Sequence, residues 1–400
     1  MTVAQAPRDG RLMDSRFPAA AATCTEQLSR EIRLPIGTLK LSWTEQNWEF
    51  DDLCDFGTRQ YASRGFLIIS RPLGRHLPCS PTQMRRAIVD LAALIPAELP
   101  GPALFVGLAE TAITLGQGVY ETCQTRHGLA ASMFIHSTRQ LTGNPIMAQF
   151  SEPHSHASAH LIHRPLDAAL RETLPKVRSL VLVDDEVTSG CTLVNLAAAL
   201  SQHLPALEQI FVATLTDWSG NRRFLEQMPV TARAAALLYG GHEWIPAATT
   251  AACPPKTAGH NSLGRLRERV NLGRHGIRGR TIDIAKLRAR IGRLGSEPLH
   301  VIGIGELHFP AFLLAEALVD EGYDVVVQAS TRSPIRVGQA ISAAFELPDP
   351  HGTKIPSFLY NLDQTSRRRR IVCSESDSDG LVAGLIRPGD VGLFEIGVTP

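Results

Sequence analysis

The chain has 400 residues, is 44% hydrophobic and 20% charged, and carries a formal net charge of +1. That length suits two or three domains of about 100–200 residues each, and the balanced charge offers no overall attraction to nucleic acid or to a membrane surface. Its apolar runs fall short of the roughly 18–20 residues that span a bilayer, the N-terminus lacks the apolar core of a secretion signal, and none of the seven cysteines stands at C-x-x-C spacing, so a cytoplasmic protein with reduced thiols is expected.

Residues 1–33 suggest a flexible tail. From Thr38 to Trp43 apolar and polar residues alternate, which predicts a half-buried strand. A helix is expected over 51–64 and a short strand over Phe66–Ile69. Met84, Ala87, Ile88, Leu91 and Leu94 recur at helical spacing within 82–95. Ala103–Val106 and Ser132–His136 are expected strands flanking a helix that starts near Glu110. The stretch 142–159 is polar, with Gly143, Pro145 and Pro153, and is expected to be a loop. Leu180–Val183 predicts a buried strand, Leu193–Leu200 a helix and Ile210–Leu215 a further strand. Strands alternating with helices argue for a mainly parallel α/β sheet. Residues 254–295 are rich in Arg and Gly and are expected to connect, with a helix near 282–294. A solvated basic face explains those arginines more simply than a phosphate ligand. A new strand at Val301–Ile304 opens a second, smaller α/β domain over 296–400.

The most informative segment is Leu180-Val-Leu-Val-Asp-Asp-Glu-Val-Thr-Ser-Gly-Cys-Thr192. Four apolar residues form a strand buried on both faces. Asp184 and Asp185 stand at its carboxyl end, where open α/β sheets bind ligands. A turn of small residues, Thr188 to Thr192, then opens a helix. Backbone N–H groups at that helix start and the hydroxyls of Thr188, Ser189 and Thr192 form a phosphate cradle, with Gly190 permitting close backbone approach. The two carboxylates can then accept hydrogen bonds from two hydroxyls of a sugar carrying that phosphate.

This segment resembles the phosphoribosyl-pyrophosphate (PRPP) signature of the type I phosphoribosyltransferases, apart from Glu186, where an apolar residue is usual. The resemblance implies that Asp184 and Asp185 hold the ribose 2′- and 3′-hydroxyls. It also implies that Thr188, Ser189, Gly190, Cys191 and Thr192 bind the 5′-phosphate. Leu108, Ala109, Glu110 and Thr111 stand where the family has its pyrophosphate loop, with Glu110 and Thr111 replacing glycines. A carboxylate beside pyrophosphate repels it, so Glu110 either ligates Mg²⁺ or pairs with a base. Arg139, His154 and His156 occupy the slot of the loop that closes over PRPP and are the candidate catalytic groups besides the aspartates. His154 and His156 after Glu152 also leave a metal site open. Arg71, Arg75 and His76 resemble the base-binding turn in the N-terminal hood of orotate phosphoribosyltransferases; they either face an anionic acceptor or form a solvated basic turn. Trp218 either stacks on the acceptor or belongs to the core.

Together with Thr331-Arg-Ser-Pro334, these features resemble a divergent phosphoribosyltransferase family fused to a TRSP domain and associated with tellurite-resistance biosynthetic clusters. The implied organisation is a tail over 1–33, a transferase domain with its hood over 34–253, a connector over 254–295 and a TRSP-like domain over 296–400. The implied activity uses PRPP and Mg²⁺ to ribosylate a nitrogenous small-molecule acceptor, with neither nucleic acid nor membrane as partner and a homodimer left open. A non-catalytic PRPP sensor on the same fold is the rival reading. The halves also share an order of features. Gly107-x-x-Glu110 is echoed by Gly303-x-x-Glu306, and Ser137-Thr-Arg139 by Ser330-Thr-Arg332, which suggests that the C-terminal domain is a decayed second copy lacking the PRPP turn, whose Glu306, Thr331 and Arg332 either bind an anion or complete the first site.

Overall fold

The computed structural model describes residues 27–44, 47–59, 65–129, 131–152, 159–247, 263–266, 270–348, 355–363, 365–375, 384–394 and 396. The described chain opens with an antiparallel hairpin of β1 (Leu28–Leu34) and β2 (Gly37–Thr44). β1 lies partly inside the expected tail. Its period-two pattern puts Leu28, Ile32 and Leu34 on one side, and all three pack on the core. Where a helix was expected over 51–64, α1 (Phe50–Leu53) is a single turn followed by a strand, β3 (Cys54–Arg59). Alternation decides the outcome, because Cys54, Phe56 and Thr58 bury along one face. β3 pairs antiparallel with β4 (Phe66–Ser70), forming the hood.

The transferase sheet follows. α2 (Pro81–Ala93) buries Met84, Ala87, Ile88 and Leu91 and leads to β5 (Ala103–Gly107), α3 (Ile113–His127) and β6 (Met133–His136). β7 (Gln140–Leu141) precedes a hairpin, β8 (Ile146–Ser151) and β9 (Ala159–His163), in and beyond the stretch expected to be a loop. Burial of Ala148, Phe150 and Ile162 on one core accounts for it despite the polar composition. α4 (Ala168–Thr173), β10 (Ser179–Val187), α5 (Cys191–Ser201), β11 (Gln209–Asp217) and the long β12 (Thr231–Pro246) complete the unit. The seven-stranded sheet runs β1-β2-β12-β11-β10-β5-β6. Its five strands from β12 to β6 are parallel, and β2 adds antiparallel to the far half of β12.

Within the connector, β13 (Gly264–Arg265) pairs with β7, and a helix α6 (Ile284–Ile291) forms inside the expected span. The C-terminal domain contains β14 (Leu299–Gly303), α7 (Phe309–Asp320), β15 (Val325–Ala329), β16 (Ile335–Arg336), a hairpin of β17 (Ala344–Leu347) and β18 (Ser357–Tyr360), then β19 (Arg369–Cys373) and β20 (Val391–Leu393). Its sheet runs β15-β14-β19-β20, all parallel. That is the path of β6-β5-β10-β11 in the first unit, with a helix, a short strand and a hairpin in the same places. β16 does not stay with its own unit; it joins β3 of the hood. One hydrophobic cluster contains α2 and α3 residues such as Ile88 and Leu115 together with Phe312 and Leu314 of α7. The two sheets therefore share a core. Among the described residues no helix is long and apolar enough to cross a membrane.

Candidate active site

β10 builds the site. Leu180 to Val183 are fully buried between β5 and β11, so the strand emerges only at its carboxyl tip, where Asp184 and Asp185 line a cleft. The Asp184 carboxylate accepts from the Asp185 backbone N–H at 2.9 Å, and Asp185 accepts from Ser70 Oγ of the hood at 3.0 Å. Both carboxyls sit above the usual aspartate range. Burial and the neighbouring Asp185 charge raise Asp184; burial and the charge of Glu186 raise Asp185 to about 6. Glu186 lines the same cleft.

The turn after the strand stays open. Thr188, Ser189, Gly190 and Thr192 line the cleft beside the aspartates, at the N-terminus of α5. Cys191 is exposed and lies outside the cleft lining. Gly190 adopts φ +74°, and a Cβ there would meet the Phe224 ring at 2.3 Å. The close approach that demands glycine is thus to Phe224 behind the turn, a feature with no local sequence signal.

Opposite stands the loop after β5. Leu108 N–H donates to Val183 O, and Ala109 N–H to Ser137 Oγ at 2.9 Å. Leu108, Ala109, Glu110 and Thr111 line the cleft. Glu110 takes the second of its two expected roles, pairing with a base. Its carboxylate accepts from Arg332 Nε at 2.6 Å and from the Arg332 backbone N–H at 3.1 Å. Burial alone would raise its pKa; Arg332, then Arg139 and Arg75, hold it at about 2. Both Glu110 oxygens are thus engaged by Arg332 donors.

Arg139 lines the cleft between these loops and is almost fully buried. Its guanidinium donates to Glu152 at 2.8 Å and lies 3.0 Å from His160 Nε2. His160 is held neutral by burial and by the Arg139 cation. Its Nδ1 lies 3.3 Å from Ser137 Oγ. Its Nε2 also lies 3.1 Å from a Glu152 oxygen, so a tautomer in which Nε2–H donates to Glu152 and the Ser137 hydroxyl donates to Nδ1 satisfies both ring nitrogens. His160 was not singled out in the sequence, because it sits in strand β9 beyond the segment that drew attention. His154 and His156 lie outside the described residues.

The hood candidates separate. Arg71 pairs on the surface with Asp55 at 2.6 Å, away from the cleft. Arg75 is fully buried and donates to the carbonyls of Gly305, Ser330 and Glu110. It clamps the two units together and lies outside the cleft lining. His76 does line the cleft, and burial with the adjacent Arg75 charge drops its pKa to about 3. Trp218 is completely buried, edge-on to Phe50 at 6.0 Å, and belongs to the core. The remaining wall comes from Arg59, Leu67 and Ile68 of the hood and from Thr331–Pro334 of the C-terminal domain.

Residues 53–241 match the phosphoribosyl transferase family, and residues 271–387 match the TRSP domain found C-terminal to it. No curated protein sequence matches the chain. Among solved structures, adenine phosphoribosyltransferase from Rhodothermus marinus is 17% identical over 40% of this chain and 80% of its own, with a TM-score of 0.28. The Trypanosoma brucei adenine enzyme, in complex with AMP, pyrophosphate and ribose-5-phosphate, is 11% identical over 46% and 77%, with a TM-score of 0.30. A hypoxanthine phosphoribosyltransferase from Staphylococcus aureus is 13% identical over 41% and 79%, with a TM-score of 0.25. On its two family matches, the chain carries a domain of the phosphoribosyl transferase family over 53–241, followed by a TRSP domain over 271–387.

Proposed function

We propose that the cleft binds PRPP with Mg²⁺ and transfers its phosphoribosyl group to a nitrogenous, base-like acceptor. The observation that carries this reading is the acidic pair at the tip of β10 facing the same cleft as an open, hydroxyl-lined helix start. The phosphate would sit on the N–H groups and hydroxyls of residues 188–192. Asp184 and Asp185 would accept from the ribose hydroxyls, whose donors relieve two crowded carboxylates. The pyrophosphate would then extend toward Leu108–Thr111 and Arg139.

Among the described residues no group of three or more His, Cys, Asp or Glu could hold a metal ion alone. The oxygen-rich acidic pair nevertheless suits a hard cation that keeps most of its ligands as water and substrate oxygens. When bound, Mg²⁺ offsets charge on the pyrophosphate. The protein's own contribution is position and electrostatics. The acceptor nitrogen's lone pair forms the bond to C1′ while the C1′–O bond breaks, its electron pair leaving with pyrophosphate. Arg139, fixed by Glu152 and His160, meets that developing charge without having to reorganise. Leu67 and Ile68 give the acceptor side an apolar surface, with neutral His76 and the Arg59 cation as its polar groups, which suits a planar heterocycle.

The test is calorimetry with PRPP and Mg²⁺. Asp184→Asn combined with Asp185→Asn should abolish the binding seen in the parent protein. Unchanged affinity would defeat the assignment.

A further inference from the structure

The correspondence between the two units extends to individual hydrogen bonds. Ser137 N–H donates to Gly107 O, and Ser330 N–H to Gly303 O. Ala109 N–H donates to Ser137 Oγ at 2.9 Å, and Gly305 N–H to Ser330 Oγ at 2.8 Å. Thr138 bridges to Leu161 of the first hairpin, and Thr331 to Phe358 of the second. Even the approach segments match: Leu73-Gly-Arg-His76 precedes the first unit and Leu272-Gly-Arg-His275 the second.

These segments are exchanged. Cys79 and Gly74 bond the edge of β15, while Ile277 and Gly273 bond the edge of β6. The acidic residues are exchanged too. Glu110 of the first unit takes Arg332 of the second, and Glu306 of the second takes the Thr138 hydroxyl and the Arg139 N–H of the first. Such reciprocity is the signature of a two-fold interface, here within one chain.

The two sites have diverged. Register aligns Val183 with Cys373, so Glu375 stands where Asp185 stands. In the second unit the Arg274 guanidinium fills that place, bonded to Glu306 at 2.7 Å and to both Glu375 oxygens at 3.0 Å. Its counterpart Arg75 binds backbone carbonyls instead and leaves the first acidic pair open.

We propose that the TRSP domain is a resident second subunit: a copy of the transferase core whose own site is closed by Arg274, and which completes the first site with Arg332 as a pyrophosphate-contacting residue. This rests on the reading of the cleft as a PRPP site. Arg332 lines the cleft across from the phosphate turn and neutralises the one carboxylate in the pyrophosphate loop. Without it, Glu110 would repel the ligand it faces.

Titration calorimetry on the full chain with Mg²⁺ tests this, using PRPP and ribose 5-phosphate as probes. The parent should bind both, with one PRPP per chain. Glu110→Gln combined with Arg332→Gln removes both charges of the pair at once, so no buried charge is left alone. It should bind ribose 5-phosphate as the parent does but PRPP roughly tenfold or more weakly, the worth of a charge-assisted hydrogen bond. Arg332→Lys should fall between the two. Unchanged PRPP affinity in the double variant, an equal loss of both ligands, or two PRPP per chain would each overturn the proposal. A parent protein that binds neither probe would instead refute the PRPP reading and this inference with it.

Discussion

The charge balance of the cleft is set residue by residue. Asp184 and Asp185 are held without a protein cation against them in any described ion pair, whereas Glu110, Glu152 and Glu306 each have an arginine. The difference has a measurable sign. Burial and Glu186 raise the Asp185 pKa from 3.8 to about 6, so the ligand-free fold favours the protonated carboxyl. Stability from this group is intact below the unfolded value and is lost as pH rises through the folded one. Asp185→Asn still accepts from Ser70 but cannot ionise. In the absence of ligand it should exceed the parent in stability at pH 7.5 by about 1–2 kcal/mol, after allowance for solvent at the cleft mouth. The advantage should vanish near pH 4. Thermal melting across that range checks this; a constant difference, or a less stable variant at pH 7.5, would mean the pair is not strained. On the proposed PRPP reading, the free energy so stored would be released when sugar hydroxyls arrive, which would link the instability to binding.

Elements were legible in the sequence to the extent that their cause was local. The buried strand 180–183, its acidic tip and the turn behind it follow from apolar runs and turn chemistry, and they lie where that pattern implies. The hairpin β8–β9 and strand β3 did not follow, because alternation of a few residues such as Ala148 and Phe150 is masked by polar neighbours and is decided by the core they meet. Trp218 takes the core alternative, and Arg75 neither faces an acceptor nor belongs to a solvated turn, for the same reason. Their types suggest ligands, but their environment is set by chain segments far away in sequence. The caps on β6 and β15 are the clearest non-local feature. Each sheet would end in an open row of backbone donors and acceptors, and each is covered by a segment from before the other unit. The amides of Phe134 and Val327 should therefore exchange with deuterium as slowly as those of central strands such as Val181. Exchange at the rate of an open edge would show that the caps fray in solution.

At the scale of the whole molecule, the shared core and the exchanged segments bear on how the chain unfolds. Two independent domains would unfold in two steps, since a connector transmits no stability. Here α2 and α3 pack with α7 in one cluster, and β16 completes the hood sheet. Arg75 ties the two units together with hydrogen bonds from a buried guanidinium, and Glu306, held by Arg274, accepts from the Thr138 hydroxyl and the Arg139 N–H of the first unit. Removing the C-terminal unit would strip the cap from β6, leave Glu110 buried without Arg332 and expose the α3 face that meets α7. An uncompensated buried carboxylate costs several kcal/mol by itself, which is comparable to the stability of a typical domain. A chain ending at residue 253 should accordingly be recovered, if at all, without cooperative melting. The full chain should unfold in urea as one transition, with near-UV and far-UV signals coincident. Two resolved transitions, or a truncated chain that melts sharply and binds PRPP, would show that the second unit is an appendage and not half of one folded body.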